Sequence, residues 1–457
     1  MLIAAQVSAQ ELSVKKGMVI DSLKVSDTLQ ETYALYVPTK FQGKKTWPVL
    51  FIFDGEGRGK AAAHLFRYPA EQQGYIVVSS NNIASDNDLK TNVEIADRLL
   101  QEAVRMFPIN TKLISSAGSM EGGKVATTIP LLYEDIQGVI AVGNHWMNLN
   151  LLDKNKEFSF IGVVGDEQFT SAGMNYTAQI LRNLKFPSRV YTYEGDKEWP
   201  DAGIISSAVG SLTLDAMKKN LRPVDPPLID ELYKQDLVLV NKMISNLELV
   251  EAMSFLELLE EKYDGLRDLD EIREKQKQLR RSRNYASQDR ERAEVSEKEL
   301  RLIDDFIYYL GEDIRTANFE NLGWWNYQKI QLDSLAAKGG AEAKMAKRLE
   351  GFINELAKTR RQELENEHAA LEKKMVANMI QTIFNPHNYQ AYKNIISLSA
   401  QDNDFGTALF YLEEMLKHGY KNKDGLYNIE GTLGLRLTPE YNAIIEKYLG
   451  TARYYDN

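Results

Sequence analysis

The chain has 457 residues, 44% hydrophobic and 26% charged, an ordinary globular composition with enough length for two or three domains rather than one core. A formal net charge of -10 argues against nucleic acid or an anionic membrane as partner, since neither is drawn to an acidic field, and RRSR at 280–283 lies in mixed-charge helical sequence as a solvated face. With no cysteine, disulfides, thiolate metal sites and cysteine nucleophiles are all removed.

In chain order, residues 1–14 read as the remnant of a signal peptide or a disordered N-terminus. A short apolar stretch runs into Val7-Ser8-Ala9 before Gln10, the small-x-small pattern of a signal-peptidase site. This predicts an exported protein, periplasmic or extracellular. No apolar run reaches the roughly 20 residues of a membrane-spanning helix.

From 15 to 221, short β-rich runs alternate with helical stretches, the rhythm of a mostly parallel sheet with crossover helices. The predicted strands are GMVIDSLKV, TYALYVP, WPVLFIFDG, GYIVVSS, TKLISSA, GVIAVG, FSFIGVVG and RVYTYEG. The third and seventh are nearly continuous apolar runs, as strands covered on both faces require. RPVDPP at 222–227 reads as a proline-rich linker. Residues 228–383 carry Leu, Glu, Lys and Arg at helical spacing, predicting a domain of long charged helices packed in pairs. Within 384–457, NYQAYKNIISLSAQDNDFGTALFYLEEMLKHGY predicts helix, polar turn, helix, with Ala408, Leu412 and Met415 where paired helices approach. That passage is similar to a tetratricopeptide repeat with a C-terminal cap, and one such repeat needs neighbours to be stable.

Between the fifth strand and its helix lies AGSMEGGKVA at 117–126. The eight-strand rhythm together with this glycine-framed turn resembles the α/β-hydrolase fold over about residues 15 to 220, closest to the secreted esterase and polyhydroxyalkanoate-depolymerase-like branch. The resemblance implies an α/β-hydrolase-type, eight-stranded, mostly parallel sheet, followed by an all-α, tetratricopeptide-like domain. It also implies a nucleophile on the turn, an acid after a later strand and a histidine after the last strand. Gly118 and Gly122 bracket the turn and Gly123 completes a double glycine, which places Met120 where the nucleophile belongs. In FIGVVGDEQF the acid's place is taken by Gln168, with Asp166 and Glu167 nearby; in YEGDKEWP, Lys197 stands for the histidine of the family's Gly-x-His-x-Trp-Pro motif. Of five histidines, none lies between 146 and 225, and His64 and His145 both precede the acid position. The expectation is therefore a degenerate triad at Met120, Gln168 and Lys197.

The oxyanion-binding half needs only backbone N–H groups, expected from Gly55 and Glu56 in DGEGRG and from Glu121. That loop lacks the Gly-Lys-Ser/Thr ending of a phosphate loop. Asp54, Glu56 and Glu121 would repel an anion unless Arg58 or Lys197 turns inward. Read one residue out of frame, Ser119 becomes the nucleophile, with Lys197 as base in a Ser-Lys arrangement. No histidine-carboxylate cluster has metal spacing, so neither metal nor cofactor is expected. Trp324-Trp325 fits a ligand platform or a pair of which one buries between helices. Three functions compete: a pseudoenzyme binding protein partners through its helical arm, as in an envelope complex; a secreted serine esterase or depolymerase using Ser119 and Lys197; and a sensor using the old pocket.

Overall fold

The computed structural model describes residues 15–148, 151–152 and 157–454; the signal-peptide reading of 1–14 lies outside them. The chain divides into two compact units, Met1–Asp289 and Arg290–Asn457.

Among the described residues the first unit holds eight strands and the second none: β1 (Val19–Lys24), β2 (Thr32–Tyr36), β3 (Trp47–Asp54), β4 (Ile76–Ser80), β5 (Ile109–Ser119), β6 (Ile136–Val142), β7 (Ser159–Gly165) and β8 (Ser188–Tyr193). They form one sheet in the order β1-β2-β4-β3-β5-β6-β7-β8. β2 runs antiparallel to both β1 and β4, and every other pairing is parallel. The strand rhythm predicts a mostly parallel sheet, and this eight-stranded one is of the type that the resemblance to the α/β-hydrolase fold implies.

Helices α1 (Gly59–Gln73), α2 (Leu89–Met106), α3 (Glu121–Leu132), α4 (Ser171–Asn183) and α5 (Ala202–Lys218) are interleaved with the strands. The apolar run of β3 explains itself by its period of two: Leu50 and Ile52 join one buried cluster with α1 and α5, while Val49, Phe51 and Phe53 join the other with α2, α3 and α4.

The first unit does not end at the prolines. Pro226 and Pro227 open the first turn of α6 (Pro226–Ser245), where a missing N–H costs nothing and the Asp225 carboxylate accepts from Leu228 N at 3.2 Å. α6, α7 (Leu249–Tyr263) and α8 (Asp270–Arg280) share their apolar cluster with the α5 side of the sheet. α5 is consequently buried nearly all round. A polar knot pins the layers together. Lys262, 0% exposed, donates to Asp236 Oδ2 at 2.7 Å and to Ser207 Oγ and O at 3.0 and 2.9 Å, while Tyr263 and Ser207 donate to the same carboxylate at 2.6 and 2.5 Å. The compact unit thus extends past the expected domain boundary at 221–227, and the expected helical domain at 228–383 is divided at Asp289/Arg290, within α9 (Arg283–Thr316).

The second unit continues through α10 (Leu322–Ala336), α11 (Gly340–Asn366), α12 (Leu371–Phe384), α13 (Tyr389–Gln401) and α14 (Phe405–Lys417), successive helices of which pack on one another. The short α15 (Lys423–Tyr427) and α16 (Leu433–Arg436) and then α17 (Pro439–Leu449) follow. α13 and α14 form a helix-turn-helix: Asn388 and Asp404 cap the two N-termini, Asn403 takes φ 59° in the turn, and Ala408, Leu412 and Met415 are buried. Trp325 is fully buried and donates to Asp313 Oδ2 at 2.8 Å, whereas Trp324 is only half-buried beside Phe306 and Tyr309.

Candidate functional site

β5 turns into α3 at Met120, whose φ of 53° and ψ of -118° is a conformation that side-chain-bearing residues rarely adopt. The flanking glycines make the turn sterically possible. A Cβ on Gly118 would lie 2.0 Å from Gly122 O, one on Gly122 1.9 Å from Phe53 O, and one on Gly123 2.2 Å from Asn144 O. The Met120 N–H is fixed by Val142 O at 3.0 Å, and its side chain is 37% exposed at the crest.

The loops after β7 and β8 are brought to this crest. A Cβ built on Gly143 would meet Met120 Sδ at 3.0 Å and Gln168 Nε2 at 3.2 Å, so the two side chains flank one glycine, which itself has φ 69°. Gln168 is buried; its Oε1 accepts from Gly165 N at 2.9 Å and its Nε2 donates to the carbonyls of Asp196 and Lys197 at 3.3 and 3.2 Å. Its amide ties the two loops together by backbone, a task that needs a donor and an acceptor on one side chain. Asp166 is engaged in the same junction, accepting from Gly195 N at 2.9 Å. The Lys197 ammonium points elsewhere: its side chain is 66% exposed, and Nζ is 3.4 Å from Asp201. Ser119 is buried and donates to Glu198 O at 2.5 Å. Ser119 and Lys197 each have a partner, and neither is bonded to the other.

On the opposite side of the crest, Gly55 approaches closely, since a Cβ there would lie 3.1 Å from both Glu121 N and Ser119 O. Of the backbone donors expected for an oxyanion, the Glu56 N–H is already directed to Asp54 Oδ1 at 2.9 Å. Asp54 organises this flank. It accepts from Arg58 Nε and Nη2 at 2.9 and 3.0 Å and from Trp199 Nε1 at 2.7 Å, and Arg58 also reaches Glu198. Burial pushes the Asp54 carboxyl up, but the hydrogen bonds from Arg58 and Trp199 outweigh it and hold it below the usual range. Of the two cations that could have softened the site for an anion, Arg58 is thus spent on carboxylates and Lys197 faces outward. Glu121 pairs with Lys124 at 2.9 Å.

Neither His64 nor His145 is hydrogen-bonded to Ser119, Gln168 or Lys197. His64 is exposed on α1. His145 hydrogen-bonds Thr177 Oγ1 at 2.7 Å, and burial pushes its pKa down to about 4. Among the described residues no group of three or more His, Asp or Glu could hold a metal ion.

Sequence reasoning missed the Asp54–Arg58–Glu198 bridge and the Trp199 donor. The Asp54/Arg58 spacing of four is visible in the sequence, but the partners lie about 140 residues further on and leave no local signal.

No protein-family model matches the chain, and no curated protein matches it. Solved structures do resemble it at low identity. A hyperthermophilic esterase from the archaeon Pyrobaculum calidifontis is 13% identical with a TM-score of 0.35, covering 44% of this chain and 83% of its own. Thermogutta terrifontis esterase 2, phosphorylated by paraoxon, is 10% identical with a TM-score of 0.35, covering 45% and 96%. Est1E from Butyrivibrio proteoclasticus is 13% identical with a TM-score of 0.33, covering 44% and 99%.

Proposed function

We propose that this chain is a catalytically silent protein of α/β-hydrolase type, a binding or assembly component whose helical, tetratricopeptide-like region engages protein partners. One observation carries the reading: the strained strand-to-helix turn holds a methionine, φ 53° and ψ -118°. A thioether has no proton to give up and does not attack a carbonyl. The other two triad positions support the same reading, because Gln168 binds backbone carbonyls and Lys197 pairs with Asp201. A tethered amide cannot stabilise an imidazolium as a carboxylate does, and among the described residues the Gln168 amide bonds backbone groups rather than an imidazole.

The serine-esterase alternative lacks support in the geometry. Ser119 directs its hydroxyl to Glu198 O, and the lysine that would activate it is exposed. A lysine base needs desolvation to lower its pKa. Export to the cell envelope belongs to the proposal through the Val7-Ser8-Ala9 pattern, and fractionation of the expressing cell checks it.

Short-chain p-nitrophenyl esters test the catalytic half of the proposal. Wild type is expected to hydrolyse none above buffer and Ser119→Ala to change nothing. Turnover by wild type that Ser119→Ala abolishes would favour the esterase instead.

A further inference from the structure

Away from the crest, toward the N-terminal ends of the strands, the first unit encloses a small cavity between the sheet and α5. Its floor is a row of small residues across three strands: Ser115 of β5 pairs with Gly138 of β6, and Gly138 with Ser159 of β7. A Cβ on Gly138 would lie 2.5 Å from Leu212 Cδ2, so the glycine is what lets α5 seat over the row. The ladder slips beside it. Ile114 faces Ile136 and Ser115 faces Gly138, which leaves Gln137 as an extra residue, as in a β-bulge, and Gln137 also borders the cavity.

The cavity measures about 10 Å³, room for one water-sized occupant and no metabolite. Ser115, Ser159, Tyr75 and Lys219 supply most of its polar lining. The two serines are 5% and 2% exposed, yet among the described residues neither hydroxyl has a hydrogen-bond partner. Buried hydroxyls are costly to leave unpaired, and these two border the same space.

Charge selects the occupant. Among the described residues the Lys219 ammonium is the one charged group in the lining, and no carboxylate joins it. Its side chain is 24% exposed and its hold on Glu157 is loose, 3.4 Å to the carbonyl and 3.9 Å to the carboxylate. Burial pushes Lys219 below the ordinary lysine range, with Glu157 and Asp215 opposing. Asp215 is itself bound by Arg189 at 2.7 Å, and Lys218 donates to Glu261 O at 2.8 Å. Arg222 adds a cation behind Tyr75: it lies against the phenol, and its Nη1, shut off from solvent, has no partner. The carbonyls that end α5 are occupied, those of Asp215, Ala216 and Met217 accepting from the N–H groups of Lys219, Leu221 and Asn220 at 3.0, 2.9 and 3.0 Å. Lys112, Glu134 and Asp135, at the same edge of the sheet, are exposed and do not line the cavity.

We propose that this cavity binds a single monatomic anion of chloride size, held by the Ser115 and Ser159 hydroxyls and the Lys219 ammonium. Water is close to chloride in size, but it leaves the ammonium uncompensated. A chloride accepts from all three groups and brings the charge that they lack. Sulfate and phosphate are too large. The inference goes beyond the binding role above, and nothing in it depends on whether the chain turns over esters.

Chloride NMR line broadening of the full chain, at constant ionic strength with gluconate as the replacement anion, measures binding. Crystals grown in bromide locate the ion by anomalous scattering. Wild type is expected to show saturable broadening that bromide competes away, and an anomalous peak within hydrogen-bond reach of both serine hydroxyls. Lys219→Met and Ser115→Ala/Ser159→Ala, each shown by circular dichroism to be folded, are expected to bind chloride at least about tenfold more weakly. A water in the cavity with no anomalous peak, or wild-type chloride affinity in either folded variant, overturns the proposal.

Discussion

Replacing Asp236 by leucine strands a buried ammonium. In the native first unit Lys262 is 0% exposed and donates to Asp236 at 2.7 Å, its remaining bonds going to Ser207 O and Oγ. Removing one partner of a buried ion pair costs about 3–5 kcal/mol, because the surviving charge stays desolvated. The Tyr263 and Ser207 hydroxyls lose their acceptors at 2.6 and 2.5 Å as well, which adds about 1 kcal/mol or more. The total is a large fraction of the roughly 5–15 kcal/mol that holds a domain folded. Asp236→Leu/Lys262→Met removes both charges and is expected to cost about 2 kcal/mol or less, giving a coupling of at least about 2 kcal/mol in the double-mutant cycle. Urea titration with hydrogen-exchange mass spectrometry on α5 and α7 peptides reads the first unit by itself. A loss under about 1 kcal/mol for Asp236→Leu, or a double variant as unstable as the single one, would refute the claim that this knot pins α6 and α7 to the sheet.

Gly122→Ala should cost about 3 kcal/mol or more or yield no soluble protein, because its Cβ would sit 1.9 Å from the Phe53 carbonyl of β3, a backbone atom that cannot swing away; a thermal melt within a degree or two of wild type would contradict this. His145 supplies a pH dependence. Its folded pKa of about 4 lies below the unfolded value near 6.5, so as pH falls from 6.5 to 4 the unfolded chain takes up the proton first and wild type loses about 2–3 kcal/mol through this group. His145→Gln should lack that component, which paired denaturation curves at pH 7 and pH 4.5 would detect; identical slopes would contradict it.

Some features were legible because they record local steric or periodic demands. The run VLFIF in β3, rich in β-branched and aromatic residues and closed by Asp54-Gly55, fits a strand with two apolar faces, and the Gly118-x-x-x-Gly122 spacing encodes a crossing too close for any Cβ. Other features record tertiary context. Lys262 looks in sequence like one more cation on a charged helix, and nothing local reveals that Ser207 and Asp236 enclose it. The unit boundary escaped sequence reading for the same reason: Leu-rich charged helices look alike whether they cover a sheet or one another, and Pro226-Pro227 fits a linker as well as a first helical turn. At the candidate site the residues on the turn and on the two later loops could be aligned by motif. The directions of the Ser119 hydroxyl and the Lys197 ammonium could not, since each is set by a backbone carbonyl or a carboxylate of the closing loop.

Catalytic silence is tested most directly by intact-mass analysis after incubation with a fluorophosphonate, which phosphonylates an activated serine. The expected result is an unmodified mass for wild type, identical in Ser119→Ala. A single stoichiometric adduct on wild type that disappears in Ser119→Ala would make Ser119 a working nucleophile and contradict the account.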